Sequence, residues 1–261
     1  MYFKIRRLLI MKTVIAFLTK RPSNDLLKFA NELSEFFDIY IIIDDNDYKC
    51  EKNNFINLIQ IDNDECKKHS FVFLETQYND TSDKNIYSWE KAIYYFNYIN
   101  LDYDYIWFIE DDVFISSIDA IINLESKCET YDLVCAANDK GLIETSKNTW
   151  IWNYAFKIFN EPAYCSMVCA CRISKKLLAY VNLAIQEIKD NHKLEFFIYE
   201  FFINTIAMKF DMSVYCPEEL LSITYDTVWD IDDFKKNKDN FFHPFKKYDL
   251  FERYRNIVKL S

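Results

Sequence analysis

Glycine is almost absent from this chain: Gly141 is the single one among 261 residues. Phosphate-cradling loops of the P-loop and dinucleotide-fold kinds need several, because only a backbone without Cβ brings its amides close to the oxygens. Those sites are excluded, and any phosphate this protein binds is held by other means. Histidine is scarce as well, with three residues and no HExxH pair, which removes most zinc hydrolases. No apolar run reaches the about eighteen residues a bilayer-spanning helix needs. Basic residues are outnumbered, 31 Lys and Arg against 41 Asp and Glu, for a net charge of −10. A phosphate-backbone footprint concentrates Lys and Arg on one face, so nucleic acid is not an expected partner.

The eight cysteines, Cys50, Cys66, Cys128, Cys135, Cys165, Cys169, Cys171 and Cys216, form no CxxC pair, and several lie inside apolar runs. They read as reduced core thiols, which fits a cytoplasmic location. The leading MYFKIRRLLIMK breaks its apolar run too soon for a signal peptide, and Met11 offers an alternative start, so secretion is not expected. Half the residues are apolar and 18% are aromatic, a composition that excludes disorder and supplies one sizeable core.

What is present centres on Tyr103 to Ile115, YDYIWFIEDDVFI. Tyr105 to Glu110 has the look of a strand buried on both faces, and it ends in three consecutive carboxylates, Glu110, Asp111 and Asp112. Such neighbours repel by roughly 4 kcal/mol per close pair at an effective dielectric near 20, so they make sense at a buried strand end mainly if a cation sits there. Oxygen ligands, few in number, suit Mg2+ or Mn2+ shared with a substrate phosphate. An acidic strand end that merely opens a turn is the plainer alternative.

Along the chain, Lys12 to Leu18 reads as a strand, Asp25 to Phe36 as an amphipathic helix capped by Ser23 or Asn24, and Asp38 to Ile43 as a second strand ending in Asp44-Asp45. This is a βαβ unit, for which parallel pairing is expected. Asn57 to Ile61 is a third strand, Cys66 to Thr81 an irregular stretch, and Tyr87 to Ile99 a helix with Ser88 as a possible cap. After the acidic strand come a short helix to Cys128, strands at Tyr131 to Ala137 and Tyr164 to Cys171, and helices at Lys175 to Ile188 and Leu194 to Lys209. Trp150 and Trp152 offer either core packing or a platform for a sugar face. Asp226 to Asn240 reads as a mobile charged loop, and Lys247 to Lys259 as a helix packing back on the domain. The order predicts an α/β fold with a mostly parallel central sheet flanked by helices.

Two acids stand in the apolar helix Leu194 to Lys209. Glu195, near its start, is where an acid is favoured by the exposed amides. Glu200 sits on a face with Phe196, Phe197 and Asn204, where desolvation raises a carboxylate toward the range a general base near neutral pH requires.

The strand ending in Glu110-Asp111-Asp112, together with Phe242-His243-Pro244-Phe245-Lys246, resembles the metal motif and the C-terminal element of GT-A-fold glycosyltransferases that use nucleotide sugars. The resemblance implies one domain, with residues of about 12–138 binding the nucleotide and about 139–261 the acceptor. It implies Asp112 and His243 as ligands of Mn2+ or Mg2+, Glu110 and Asp111 supporting metal or donor, and Lys246 meeting the diphosphate. Thr19, Arg21 and Asp44 or Asp45 would hold the nucleoside, and Lys91 would face the donor phosphate or sugar. Glu200 would activate the acceptor hydroxyl, which implies inversion. The implied reaction moves a hexosyl or N-acetylhexosaminyl group from a nucleoside-diphosphate sugar, UDP foremost, to a glycan, glycolipid or protein acceptor. A metal-dependent nucleotidyltransferase or phosphatase, or a non-catalytic nucleotide-sugar-binding protein of the same fold, is the rival reading.

Overall fold

Seven strands share one sheet in the computed structural model, which describes residues 11–49, 54–68, 87–128, 130–142, 155–156, 158–159, 162–191 and 199–260. In chain order the strands are β1 (Thr13–Thr19), β2 (Asp38–Ile43), β3 (Asn57–Gln60), β4 (Tyr105–Glu110), β5 (Phe114–Ile115), β6 (Leu133–Val134), β7 (Asp139–Gly141), β8 (Ala163–Cys165), β9 (Ala170–Ser174), β10 (Val214–Tyr215) and β11 (Phe241–Phe242). The sheet runs β10-β6-β9-β4-β1-β2-β3. β1 pairs in parallel with β2 and β4, β2 with β3 and β10 with β6, while β9 is antiparallel to both its neighbours.

Strand alternation sorts the core. Val14, Ala16 and Leu18 of β1 join Ile106 and Phe108 of β4 on one face. Ile15 and Phe17 join Trp107 and Ile109 on the other. Helices cover both faces, so the apolar runs of β1, β2 and β4 are buried on either side. Burial of each large apolar side chain here stabilises by about 1.5–3 kcal/mol. The Asn24–Leu33 helix illustrates the local logic: the Ser23 hydroxyl accepts from Leu26 N at 3.1 Å, and Leu26, Phe29, Ala30 and Leu33 form its buried stripe.

Chain order turns back at one point. β1, β2 and β3 step outward in one direction, and the chain then returns to lay β4 on the opposite side of β1. The crevice at the carboxyl ends of β1 and β4 is therefore a topological switch point, where α/β sheets place ligands.

A second, two-stranded sheet controls the C-terminal segment. β11 pairs antiparallel with β5, Phe242 opposite Phe114. Phe114, Phe234, Phe242, Phe245 and Phe251 form an aromatic cluster beneath it. The Phe251–Leu260 helix closes this cluster, with Arg255 Nε donating to Ile115 O at 2.9 Å and its guanidinium lying 3.7 Å from the centre of the Phe29 ring. The tail thus packs back as a helix. No helix among the described residues is long and apolar enough to cross a membrane.

Four sequence expectations need correction. Tyr164 to Cys171 is two strands: Thr205 Oγ1 accepts from Tyr164 N at 2.9 Å and donates to Tyr164 O at 3.2 Å, drawing β8 toward the Tyr199–Lys209 helix and out of line with β9. Asp226 to Asn240 contains an Ile231–Lys236 helix, started by an Asp230–Asp233 capping box and anchored by the fully buried Phe234. The Ser88–Tyr94 helix is begun at Tyr87, whose N–H donates to the Glu90 carboxylate at 3.0 Å, and its last turns, Tyr95–Ile99, are a π-helix. Asn63–Lys68 is a helix where Cys66 was expected to open an irregular stretch. Cys50, Trp150, Trp152 and Glu195 lie outside the described residues.

Candidate metal and nucleotide site

The switch point collects the carboxyl ends of three parallel strands. β1 ends at Thr19, β2 leads into Asp44 and Asp45, and β4 ends at Glu110 before Asp111 and Asp112. Thr19 Oγ1 donates to Asp111 Oδ2, tying the first and third ends together across the crevice, and Asp111 N donates to Leu18 O at 3.0 Å. Tyr248 brings its hydroxyl to the same Asp111 carboxylate from the C-terminal segment. Burial pushes Asp111 above the usual carboxylate range, against the pull of the Thr19 hydrogen bond.

Glu110 is held from two sides. Trp89 Nε1 donates to its Oε1 at 2.7 Å, and its own N–H donates to Cys169 O at 2.8 Å. Burial raises this carboxyl, Trp89 opposes the rise, and the neighbouring Asp112 charge adds to it.

His243 arrives from β11. Its backbone N–H donates to Ser222 O at 3.0 Å, and its carbonyl accepts from Thr224 N, Thr224 Oγ1 and Trp229 Nε1 at 3.0–3.1 Å. Phe245 N donates to Asp112 O at 2.8 Å, and the His243–Pro244 peptide between these anchors is cis. The residue is 7% exposed, with Nδ1 2.7 Å from Thr224 O. A carbonyl only accepts, so Nδ1 carries the proton and the neutral ring presents a bare Nε2.

That nitrogen faces acids. Nε2 lies 3.3 Å from Asp112 Oδ1 and 4.0 Å from Glu110 Oε2. Asp112 Oδ1 is buried and makes no hydrogen bond of acceptable geometry. A lone pair aimed at an orphaned carboxylate oxygen is unfavourable unless a positive charge lies between them, either a proton on Nε2 or a metal ion. Burial lowers His243, but the adjacent Asp112 carboxylate, with the Thr224 carbonyl and the Glu110 charge, outweighs it and leaves the ring net raised above 6.5. Oxygen and imidazole donors, with the far imidazole nitrogen fixed by a carbonyl, suit a divalent cation. The residues present fit such an ion.

The structure also brings in Cys169, which sequence reasoning left among the core thiols. Glu110, Cys169 and His243 offer ligand atoms that all lie within 4.8 Å of one another. No local pattern marks Cys169; only the antiparallel register of β4 and β9, Ile109 opposite Ala170, sets it against Glu110.

Glu200 stands in the Tyr199–Lys209 helix, which Tyr199 pins beside the acidic strand. Trp89 stacks on Tyr199 with ring centres 5.1 Å apart, and the Tyr199 hydroxyl bonds the buried Glu90. The Glu200 carbonyl accepts from Asn204 Nδ2 at 2.7 Å and Ser166 N at 3.3 Å. Asn204, fully buried, in turn accepts from Asn138 Nδ2 at 2.7 Å and Ser166 Oγ at 3.1 Å. Burial, aided by the Glu110 charge and opposed by a backbone hydrogen bond and by His243, drives the Glu200 carboxyl up to about 7. Glu200 therefore shares the electrostatic field of the acidic cluster.

The remaining sequence candidates stand at the edge of this cluster. Lys91 has no exposed side-chain surface: Nζ donates to Asp44 O at 2.6 Å and Asn46 Oδ1 at 2.9 Å and lies 3.8 Å from Asp44 Oδ1. It shapes the loop after β2 from inside, and burial lowers its pKa. Asp44 is raised by burial, while the exposed Arg21 pairs with Asp45 and holds that carboxyl below the usual range. Lys246 is exposed three residues beyond His243.

No known protein family matches the chain, and no curated protein is significantly similar to it in sequence. Among solved structures, the galactosyltransferase LgtC in complex with donor and acceptor sugar analogues overlaps at 10% identity and a TM-score of 0.46, covering 94% of this chain and 95% of that one. Mouse xyloside xylosyltransferase 1 overlaps at 9% identity and 0.42, covering 79% of this chain and 84% of that one. The 4-diphosphocytidyl-2C-methyl-D-erythritol synthase of Anaerococcus prevotii does so at 11% identity and 0.41, covering 87% of this chain and 97% of that one.

Proposed function

We propose that this protein is a metal-dependent glycosyltransferase that moves a sugar from a nucleoside-diphosphate sugar to an acceptor hydroxyl. The observation that carries the reading is the pair formed by the orphaned Asp112 Oδ1 and the bare Nε2 of His243, 3.3 Å apart at a switch-point crevice. Asp112 and His243 would hold Mn2+ or Mg2+, with Glu110 beside them. When bound, the ion supplies charge that stabilises the departing diphosphate, a role the near absence of glycine leaves to a cation.

This chain's own groups do the rest. Thr19 and Tyr248 orient Asp111, so its carboxylate meets the donor from a fixed direction. Arg21, Asp44 and Asp45 line the nucleoside end, and Lys91 holds the loop that carries the two acids. Lys246, free at the surface, assists the diphosphate. Glu200, held near neutral pKa by burial, takes the acceptor proton, which makes the displacement single and inverting. The half of about 12–138 binds the nucleotide and that of about 139–261 the acceptor. UDP is the first donor base to try and a hexosyl or N-acetylhexosaminyl group the first sugar, with a glycan, glycolipid or protein as acceptor. The free cysteines support action in the reducing cytoplasm.

A thermal-shift panel of UDP, GDP, CDP and ADP, each with and without Mn2+, tests this on wild type and Asp112→Ala. One diphosphate at about 100 times its Kd should stabilise wild type by about 2.7 kcal/mol, only with metal, and the variant should lose the effect. If no nucleotide shifts wild type at any metal concentration, the reading fails.

A further inference from the structure

We infer that the Cys169 thiol is a ligand of the site's metal, so that the site accepts borderline and soft ions as well as Mn2+ or Mg2+. The inference rests on the reading of Asp112 and His243 as metal ligands and adds a sulfur donor to them. Three separate anchors bring the donors together. Glu110 ends β4, Cys169 lies opposite it just before β9 through the Glu110 N to Cys169 O hydrogen bond, and His243 follows β11 with its ring fixed by Thr224 O. None of them is a loop tip, and Cys169 and His243 are both buried.

The spacing is that of a site short of closure. Tetrahedral coordination by oxygen, nitrogen and sulfur at ordinary bond lengths sets neighbouring ligand atoms roughly 3.3–3.8 Å apart. Glu110, Cys169 and His243 atoms all lie within 4.8 Å of one another, and Asp112 Oδ1 is 3.3 Å from the same His243 nitrogen. Rotamer adjustments of about 1 Å would gather the Glu110 oxygen, the His243 nitrogen and the Cys169 sulfur on one ion, with Asp112 as a further oxygen beside the imidazole. The thiol now meets the Glu110 carboxylate as a hydrogen-bond partner. Coordination replaces that contact: the S–H bond breaks, the proton leaves to buffer, and sulfur donates its pair to the metal. A thiolate in the set favours Co2+, Zn2+ and Cd2+, whereas Mg2+ would leave the sulfur protonated.

Cobalt reports this directly. Co2+ alone, and then with UDP, is titrated into wild type, Cys169→Ser and His243→Ala, with absorption followed through the near ultraviolet and visible. The expected result is visible cobalt bands with a near-ultraviolet thiolate-to-cobalt charge-transfer band in wild type, loss of only the charge-transfer band in Cys169→Ser, and loss of both in His243→Ala. Visible bands without charge transfer in wild type overturn the sulfur ligand and leave the metal site standing. An absence of cobalt bands in wild type overturns both. Should Cys169→Ser fail to fold, cadmium NMR of the unsubstituted protein decides. A resonance shifted downfield as one thiolate requires, and abolished in His243→Ala, supports the ligand; a resonance at the position of an all oxygen and nitrogen set refutes it.

Discussion

Asp112→Asn is expected to stabilise the metal-free protein while abolishing its response to metal. The wild-type carboxylate keeps a buried Oδ1 without a hydrogen bond, 3.3 Å from the imidazole nitrogen and beside the Glu110 carboxylate. An amide removes one negative charge from the cluster and turns an N–H toward that nitrogen. Satisfying a buried orphan is worth about 1–3 kcal/mol, of which about 1 kcal/mol should survive repacking, or roughly 2–4 °C in Tm for a chain of this size. The gain depends on pH with a definite sign. His243 is raised above 6.5, so its pairing with Asp112 stabilises wild type fully below pH 6.5 and fades as pH rises through the folded value. The advantage of the variant should therefore be largest near pH 8 and shrink or reverse near pH 5.5. Thermal unfolding in EDTA across this range, repeated with Mn2+ and UDP, measures both arms. A variant that melts below wild type at pH 8 in EDTA would refute the reasoning, because Asp112 would then be serving the fold.

Three further outcomes are expected. In Glu200→Gln, kcat/KM should fall by about 10²–10⁴ and lose the limb that rises with pH through about 7 in wild type, where the carboxylate must be ionised to act; an unchanged pH profile removes Glu200 from proton transfer. Glu125 accepts from Thr13 Oγ1 at 2.6 Å and Trp107 Nε1 at 2.7 Å and lies 3.0 Å from Arg172 Nε, all buried. Glu125→Ala should thus cost about 3–5 kcal/mol in urea unfolding, and Glu125→Leu with Arg172→Met much less; equal losses would mean packing, not charge, sets the cost. Phe234→Ala should cost about 3–5 kcal/mol if the Ile231–Lys236 helix is anchored in the aromatic cluster, and under 1 kcal/mol if that segment behaves as the loose loop its charge implies.

What could be read from residues alone was what depends on near neighbours. The apolar runs of β1, β2 and β4 declare buried strands, since only a sheet covered on both faces takes five such residues in a row. Ser23 caps its helix because the interaction spans three residues. The clustering of Glu110, Asp111 and Asp112 at the end of a buried strand was legible in the same way. The Glu200 carboxyl is raised by burial, the direction expected; Phe196 and Phe197, to which the sequence assigned it, lie outside the described residues. Only the tertiary structure decided how these parts meet. Switch-point pairing of β1 with both β2 and β4 joins Thr19 to Asp111, and the pairing of β5 with β11 returns His243 to Asp112 across some 130 residues. Cys169 and Lys91 show the same limit in opposite directions. One looked like core and stands at the acids, while the other looked like a ligand contact and is enclosed by backbone and amide oxygens. Cys169 is settled by which strands lie side by side, and Lys91 by the packing of its helix against the loop after β2, long-range arrangements that no local run of residues encodes.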